Sequence, residues 1–314
     1  MNSLVHRLTN NLDIRTSLIW VHLTLSTLAA AKVTVRFIWK YFLRPFPELK
    51  RLYGGSWSVI TGGSAGIGLE IAKLLIKHGI NVVLIARNRE NLSKVAEELS
   101  LLNSAVEVRV ISCDAAAPNY AAVMKSLEDL DISLLVNNVG VHNDIPSNVE
   151  DMSPLEICRI IQVNCSFQVS LTSMLLPQLR RARKATIINI SSLTSQMDMP
   201  MLSVYAATKA FETHFSVCLA AEVQPLGIEV LCLRPGLTVS RMSGISTPTL
   251  FCPSAADMAY CCVRMIGCGA QPSIAPYWPH ALLDVVNGFV PRSLTWSIVR
   301  GMHQQKREAM LKGK

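Results

Sequence analysis

Tyr205 and Lys209 stand four residues apart in Val204-Tyr-Ala-Ala-Thr-Lys209, which runs into a stretch, Ala206–Val223, whose pattern predicts a helix. At that spacing both side chains share one helical face. A phenol ordinarily titrates near 10 and is a poor acid at neutral pH, but an ammonium one turn away favours the phenolate and makes the group serviceable. Ser192, thirteen residues before the tyrosine, adds a hydroxyl. Carbonyl reduction needs a proton donor, a hydride donor and groups that favour the developing oxyanion. A Tyr/Lys pair also arises by chance on solvated helices; here a glycine turn about 140 residues earlier gives it meaning. Thr61-Gly-Gly-Ser-Ala-Gly-Ile-Gly68 follows a short apolar strand, Trp57–Ile60, and runs into a helical pattern, Leu69–Lys77. A strand, a glycine turn and a helix N-terminus form a phosphate cradle, because unpaired amides and the positive end of the helix dipole converge there. The spacing is Gly-x-x-x-Gly-x-Gly, not the Gly-x-Gly-x-x-Gly of the general dinucleotide fingerprint.

The elements that must hold these groups alternate. Strands are expected at Asn81–Ala86, Val106–Ser112, Leu134–Asn137, Thr186–Ser191 and Ile228–Leu233, with helices at Arg89–Leu101, Leu155–Pro177 and Ala206–Val223. That alternation predicts an α/β fold, a doubly wound parallel sheet of the Rossmann-like kind with helices on both faces. Residues 237–281 look irregular, broken by prolines around one helix near Ala255–Ile266. Expected organisation is an N-terminal anchor and linker over 1–52 and one catalytic domain over 53–314, with an apolar substrate region within 237–300.

Over about residues 53–310 the chain resembles the short-chain dehydrogenase/reductase family. Thr61, Gly62, Gly66, Ile67 and Gly68 match its cofactor loop, and Asn137-Asn138-Val139-Gly140 its Asn-Asn-Ala-Gly motif with Val for Ala. Asn164, Ser192, Tyr205 and Lys209 match its four catalytic positions, and Pro235-Gly236 its turn after a strand. The resemblance implies that Tyr205 gives a proton to the carbonyl oxygen, or removes one in reverse. It further implies that Lys209 holds the nicotinamide ribose, Ser192 orients the substrate oxygen, and Asn164 supports a water leading from Lys209 to solvent. Asn138 and Gly140 belong to the cofactor wall, whereas Asn137 steadies the central sheet. Thr238 and Ser240 match positions near the carboxamide and pyrophosphate, Ser240 where most members carry Thr.

The end of the second strand separates the two nicotinamide cofactors: a carboxylate there bonds a ribose hydroxyl, whereas an arginine suits a 2′-phosphate. Ala86 holds the carboxylate position and Arg87 follows, so the expected cofactor is NADP(H), with Ser64 as a further donor to that phosphate. Asp114 matches the position that accepts from the adenine amine. His142, His214 and His78 are expected to be structural. Of the glycosylation patterns at Asn91, Asn164 and Asn189, the latter two fall in or beside the expected core.

Composition narrows the setting. Half the chain is apolar, only 17% is charged, and the net charge is +8. Without nucleic-acid motifs, such a basic excess points to membrane or phosphorylated ligands. The nine cysteines show no zinc spacing and fit small buried hydrophobes in a reducing compartment. Thr16–Ala31 carries no charge; its sixteen residues would rise about 24 Å, short of a roughly 30 Å hydrocarbon core. Beyond it, Val33–Leu43 stays apolar and aromatic but for Arg36 and Lys40. Three readings stand: a spanning anchor, an in-plane helix, or a helix docked on the enzyme. Six basic residues follow the stretch, whereas Arg7, Asp13 and Arg15 precede it, which turns the catalytic domain to the cytosol.

Within the family the likeness is to the branch of 17β-hydroxysteroid dehydrogenases and very-long-chain 3-oxoacyl-CoA reductases, which act on lipids, usually at the endoplasmic reticulum. It rests on Tyr53-Gly54, Trp57, Ile190-Ser-Ser192, Thr247-Pro-Thr-Leu250 and the apolar C-terminal third. The expected function is NADPH-dependent reduction of a lipophilic ketone such as a 17-ketosteroid. The alternatives are a very-long-chain 3-oxoacyl-CoA and, in another class, a non-catalytic NADP(H)-binding scaffold. The greasy stretch Tyr277–Val299 lines an apolar pocket, touches the bilayer, or is ordinary core. Family likeness also implies a homodimer through Leu155–Pro177 and Ala206–Val223.

Overall fold

The structure, a computed structural model, describes the backbone of residues 2–269 and 272–312, and their side chains from residue 16 onward. The chain divides into two compact units, Met1–Phe46 and Pro47–Lys314. The first is a helix, α1 (Asn2–Ile38), prolonged by a wide π turn over Trp39–Leu43. Thr16–Leu43, 28 residues, is long and apolar enough to cross a membrane, and its most apolar window contains no buried residue. It rises about 42 Å, more than the hydrocarbon core requires. The helix therefore does not stop at Ala31 but runs on through Lys32 and Arg36. Thr24 and Thr27 donate their hydroxyls to the carbonyls of Trp20 and Leu23, each at 2.8 Å, so both are satisfied within the helix. The flanking charges Arg7, Asp13 and Arg15 lie outside the described side chains.

The second unit begins with α2 (Leu49–Tyr53) and β1 (Trp57–Thr61), then alternates through α3 (Gly66–Lys77), β2 (Asn81–Ala86), α4 (Arg89–Ser100), β3 (Val108–Ser112), α5 (Tyr120–Lys125) and β4 (Ile132–Asn137). It continues with α6 (Pro154–Ile161), a π turn over Gln162–Ser166, α7 (Phe167–Leu179), β5 (Ala185–Ile190), α8 (Ser203–Val223) and β6 (Ile228–Leu233). The last elements are α9 (Ala255–Arg264), a two-residue β7 (Ser273–Ile274), α10 (Trp278–Asn287) and α11 (Arg292–Lys312). The seven strands form one parallel sheet in the order β3-β2-β1-β4-β5-β6-β7. β1, β4 and β5 are buried at every residue, which explains their unbroken apolar sequences. The order reverses between β1 and β4, the place where doubly wound sheets bind ligands outside their carboxyl ends.

One face of the sheet is covered by α7 and α8, where Phe167, Leu171, Leu175, Leu219 and Val223 meet Leu135, Ile187 and Val230. Tyr53 reaches from α2 to Thr186 of β5 with its hydroxyl at 2.6 Å, so the segment before the glycine loop is fastened under the sheet. Burial pushes the Tyr53 phenol above its ordinary range. Asn88, Asn119, Ser153 and Ser254 cap α4, α5, α6 and α9, each accepting from an amide three residues on.

Three local expectations change. The single helix over Leu155–Pro177 is two helices joined by a π turn that contains Asn164. The greasy stretch Tyr277–Val299 folds into α10 and the first part of α11, which runs on to Lys312. Their apolar side chains are not core: Val285 is 61% exposed, Phe289 84% and Trp296 50%. Only Pro279 and His280 of α10 are buried, because the helix presses its first turn against the domain and leaves the rest outside.

Candidate active site

The glycine loop is built for close approach. Gly66 opens α3 at φ +59° with nothing within 4 Å of where a Cβ would stand, so its hollow is open. Ala65 ahead of it provides no side-chain cap, which leaves the first-turn amides to an outside anion. Gly68 is needed for another reason: a Cβ there would lie 2.5 Å from Asn138 Nδ2 and 2.6 Å from the Gly62 carbonyl oxygen. Asn138 fastens the loop to the end of β4. Its amide donates to Thr61 Oγ1 at 2.9 Å, and Nδ2 donates to the carbonyls of Thr61 and Gly62 at 3.1 and 3.2 Å. Asn91 at the start of α4 donates to the Ser64 carbonyl at 3.3 Å and ties the loop's far side. The residues present thus fit a dinucleotide phosphate.

Arg87 is exposed beyond β2, and no carboxylate stands at Ala86 before it. Asp114 is exposed beyond β3, with one oxygen accepting from the Ala116 amide at 3.0 Å. Arg87, Ser64 and Asp114 therefore sit at the carboxyl ends of neighbouring parallel strands or in the adjoining glycine loop, along one rim of the sheet.

Around β4, β5 and α8 the catalytic candidates gather. Lys209 Nζ stands 5.9 Å from the Tyr205 ring centre and donates to the Ile190 carbonyl at 3.0 Å. A Cβ on Gly140 would lie 3.3 Å from that Nζ and 3.5 Å from Asn164 Oδ1, so Gly140, Asn164 and Lys209 converge. Asn164 is fully buried; Oδ1 accepts from the Val141 amide at 2.8 Å, and Nδ2 donates to the Val141 carbonyl and to Thr208 Oγ1, each at 2.9 Å. Both amide protons are spent on protein. The side chain thus fixes the strand end carrying Gly140. Asn137 spans the sheet's interior, donating to Thr172 Oγ1 and Asn189 Oδ1 at 2.9 Å each.

The two serines after β5 differ. Ser191 Oγ donates to the Lys209 carbonyl at 2.8 Å and meets Thr213 Oγ1, so it is consumed by α8. Among the described residues, Ser192 Oγ accepts only from the Thr194 amide at 3.2 Å, and the next residue, Leu193, donates its amide to the Pro235 carbonyl. Beyond β6, Gly236 lies against His280 of α10: its amide donates to Nδ1 at 3.0 Å, and a Cβ would fall 2.9 Å from the ring. With Nδ1 accepting, the ring proton sits on Nε2, which donates to the Phe251 carbonyl at 3.0 Å. Burial lowers the His280 pKa. Arg234 and Asp284 add a two-pronged ion pair between β6 and α10 at 3.0 and 2.8 Å. Thr238 donates back to the Gly236 carbonyl at 3.2 Å, and Ser240 meets Ser243 Oγ at 3.3 Å.

Three further residues border the candidates. His142, expected to be structural, stands edge-on to Tyr205 with ring centres 5.9 Å apart, while its Nε2 meets the Met242 carbonyl at 3.2 Å. His280 supports the Pro235-Gly236 turn. Glu212, three residues after Lys209, is 1% exposed and grips the ammonium with both oxygens, at 2.9 and 3.0 Å. Burial pushes the Glu212 carboxyl up to about 7 against the pull of Lys209. Burial also opposes the Lys209 charge, but Glu212 and then Tyr205 outweigh it, so the ammonium persists above its ordinary pKa. Of the other histidines, His78 closes α3 and His214 is exposed beside Cys218. Asn164 and Asn189 are wholly buried and closed to glycosylation.

A doubly wound parallel sheet with a glycine loop at its reversal and a Tyr/Lys helix beside it defines a nucleotide-dependent oxidoreductase. A family model for short chain dehydrogenases matches residues 56–249, and the chain belongs to the short-chain dehydrogenase/reductase family. It is 33% identical over 261 residues to the mouse very-long-chain 3-oxoacyl-CoA reductase, covering 82% of this chain and 83% of that one. The structure of a 7β-hydroxysteroid dehydrogenase superposes with a TM-score of 0.71 at 20% identity, covering 80% of this chain and 98% of the other, a likeness of fold. A short-chain dehydrogenase from Sphingobium yanoikuyae in complex with NADPH gives 0.65 at 26% identity, covering 74% and 93%. The chain is an oxidoreductase acting on alcohol and carbonyl groups, in the branch that holds the acyl-CoA reductases.

Proposed function

We propose that the chain reduces the 3-oxo group of a long-chain acyl-CoA with NADPH, anchored at the endoplasmic reticulum membrane with its catalytic domain in the cytosol. The carrying observation is the convergence of Tyr205, Lys209, Asn164 and Gly140 outside the sheet's reversal. The similarity to very-long-chain 3-oxoacyl-CoA reductases favours the acyl thioester over the ketosteroid. When bound, the nicotinamide supplies the hydride. Tyr205 gives its phenolic proton to the oxygen that gathers charge, and Lys209 favours the phenolate left behind. Ser192, whose hydroxyl keeps its donor for a ligand, orients that oxygen, and His142 borders the same ring. Asn164 keeps Val141 and Gly140 in place. Asn138 holds the glycine loop of Gly62, Ser64, Gly66, Ile67 and Gly68 beneath the pyrophosphate. Arg87 and Ser64 suit the 2′-phosphate and Asp114 the adenine, while Pro235, Gly236, Thr238 and Ser240 close the nicotinamide side. Exposed apolar residues on α10 and α11 suit a greasy substrate delivered from lipid. A homodimer through α6–α8 is part of this reading.

A panel of 3-oxoacyl-CoAs and 17-ketosteroids, followed by NADPH oxidation, tests it. The expected outcome is turnover of the acyl-CoAs, lost by about two to four orders of magnitude in Tyr205→Phe. Turnover confined to steroids overturns the substrate, and an unimpaired Tyr205→Phe overturns the proton donor.

A further inference from the structure

The pair formed by Lys209 and Glu212 goes beyond the proton-transfer couple. An ammonium has three protons, and here they face the Glu212 carboxylate at 2.9 and 3.0 Å and the Ile190 carbonyl at 3.0 Å. Lys209 and Glu212 side chains are 5% and 1% exposed, so the pair lies outside the screening of water. An ionised carboxylate is a stronger acceptor than any hydroxyl. The donors that Lys209 would offer to a ribose are therefore the ones Glu212 holds.

We propose that Glu212 is a positioning residue for Lys209: ionised, it keeps the ammonium against the end of β5, and protonated, it releases the ammonium to the nicotinamide ribose. This rests on the NADPH reading above. The groups that face the carboxylate are few. On α8 itself it is Lys209; from the π turn before α7 comes the Cys165 thiol, and from β6 the Cys232 thiol with Arg234 beyond it. β5 contributes only neutral groups, the Ile190 carbonyl and the Asn189 amide, the latter reaching Ser216 at 2.8 Å. Burial pushes both thiols above their ordinary range. Among the described residues Lys209 is thus the one facing cation in contact, and Glu212, raised to about 7, is the facing group that changes charge near neutrality.

The test is NADPH affinity of the full-length protein, read by the nucleotide's fluorescence between pH 6 and 8.5. Wild type is expected to bind roughly three- to tenfold more weakly at the alkaline end. Glu212→Gln, and Glu212→Met as a second variant, should lose that dependence and bind more tightly than wild type at pH 8.5. The 2′-phosphate's own ionisation acts equally on all three proteins, so their difference isolates Glu212. Parallel profiles in wild type and a variant overturn the proposal, and so does a wild-type profile that is already flat. Tyr205→Phe separates the two readings: full activity in it sinks the catalytic assignment while leaving the affinity profile to stand or fall alone. No NADPH binding at any pH sinks both.

Discussion

Glu212 carries a second consequence, on stability. Its folded pKa of about 7 lies above the ordinary carboxyl value of 4.5. The folded state therefore binds more protons than the unfolded one between those values, and this contribution to stability declines as pH rises from about 4.5 to 7. Glu212→Gln cannot titrate. Its melting temperature relative to wild type should increase between pH 5 and pH 8, measured by calorimetry; a difference independent of pH would contradict the assignment. Gly68 gives a second test at this scale. Gly68→Ala drives a methyl group into Asn138 Nδ2 and the Gly62 carbonyl, at 2.5 and 2.6 Å, and one of those atoms is backbone. A loss of about 1–3 kcal/mol in chemical denaturation is expected, together with at least tenfold weaker NADPH binding. Tyr205, Lys209 and the glycines were legible because their spacing is itself the chemistry. Glu212 was not: an acid three residues after a lysine on a helix resembles a solvated pair, and only burial shows otherwise. Nothing in the sequence near His280 marked it either, since Gly236 and Phe251, the partners that explain it, lie 44 and 29 residues away.

Among the elements, the strands that place the site were the most readable. β2 and β6 have the expected bounds, and β1, β4 and β5 agree within one or two residues, because buried parallel strands are continuous apolar runs closed by polar residues. The π turn over Gln162–Ser166 was invisible. It depends on Asn164 making three bonds across to Val141 and Thr208, contacts that a helical pattern cannot contain. α10 and α11 were hidden differently: Pro276 and Pro279 suggested interruption, yet Pro279 occupies the first turn of α10, where no amide partner is needed. At the end of β2, Arg87→Asp should exchange attraction for repulsion at the 2′-phosphate. The expected result is a fall in the NADPH-over-NADH preference by about tenfold or more, read as a ratio of kcat/KM values. An unchanged ratio would remove Arg87 from the cofactor site.

For the molecule as a whole, two apolar surfaces stand out. One is Thr16–Leu43; the other is the outer side of α10 and α11, with Leu282, Val285, Val286, Phe289, Leu294 and Trp296 all exposed. Both were visible as composition, but only the fold shows that the second is outside rather than core. Full-length protein should stay with membranes through alkaline carbonate extraction. A chain starting at residue 47 should be released into the supernatant at least in part, because α10 and α11 expose apolar side chains but offer no span. Release of the full-length chain would exclude a spanning helix.

The fastening of α10 to the rest of the domain also bears on how the enzyme is made. The turn after β6 takes its support from His280 and Asp284, which a ribosome delivers more than forty residues after Pro235 and Gly236. Until they emerge, Arg234 lacks the Asp284 counter-charge and the Gly236 amide its His280 acceptor, so the turn after β6 is unbraced in a nascent chain. The brace on that turn therefore forms only once α10 has been made, long after the glycine loop has left the exit tunnel.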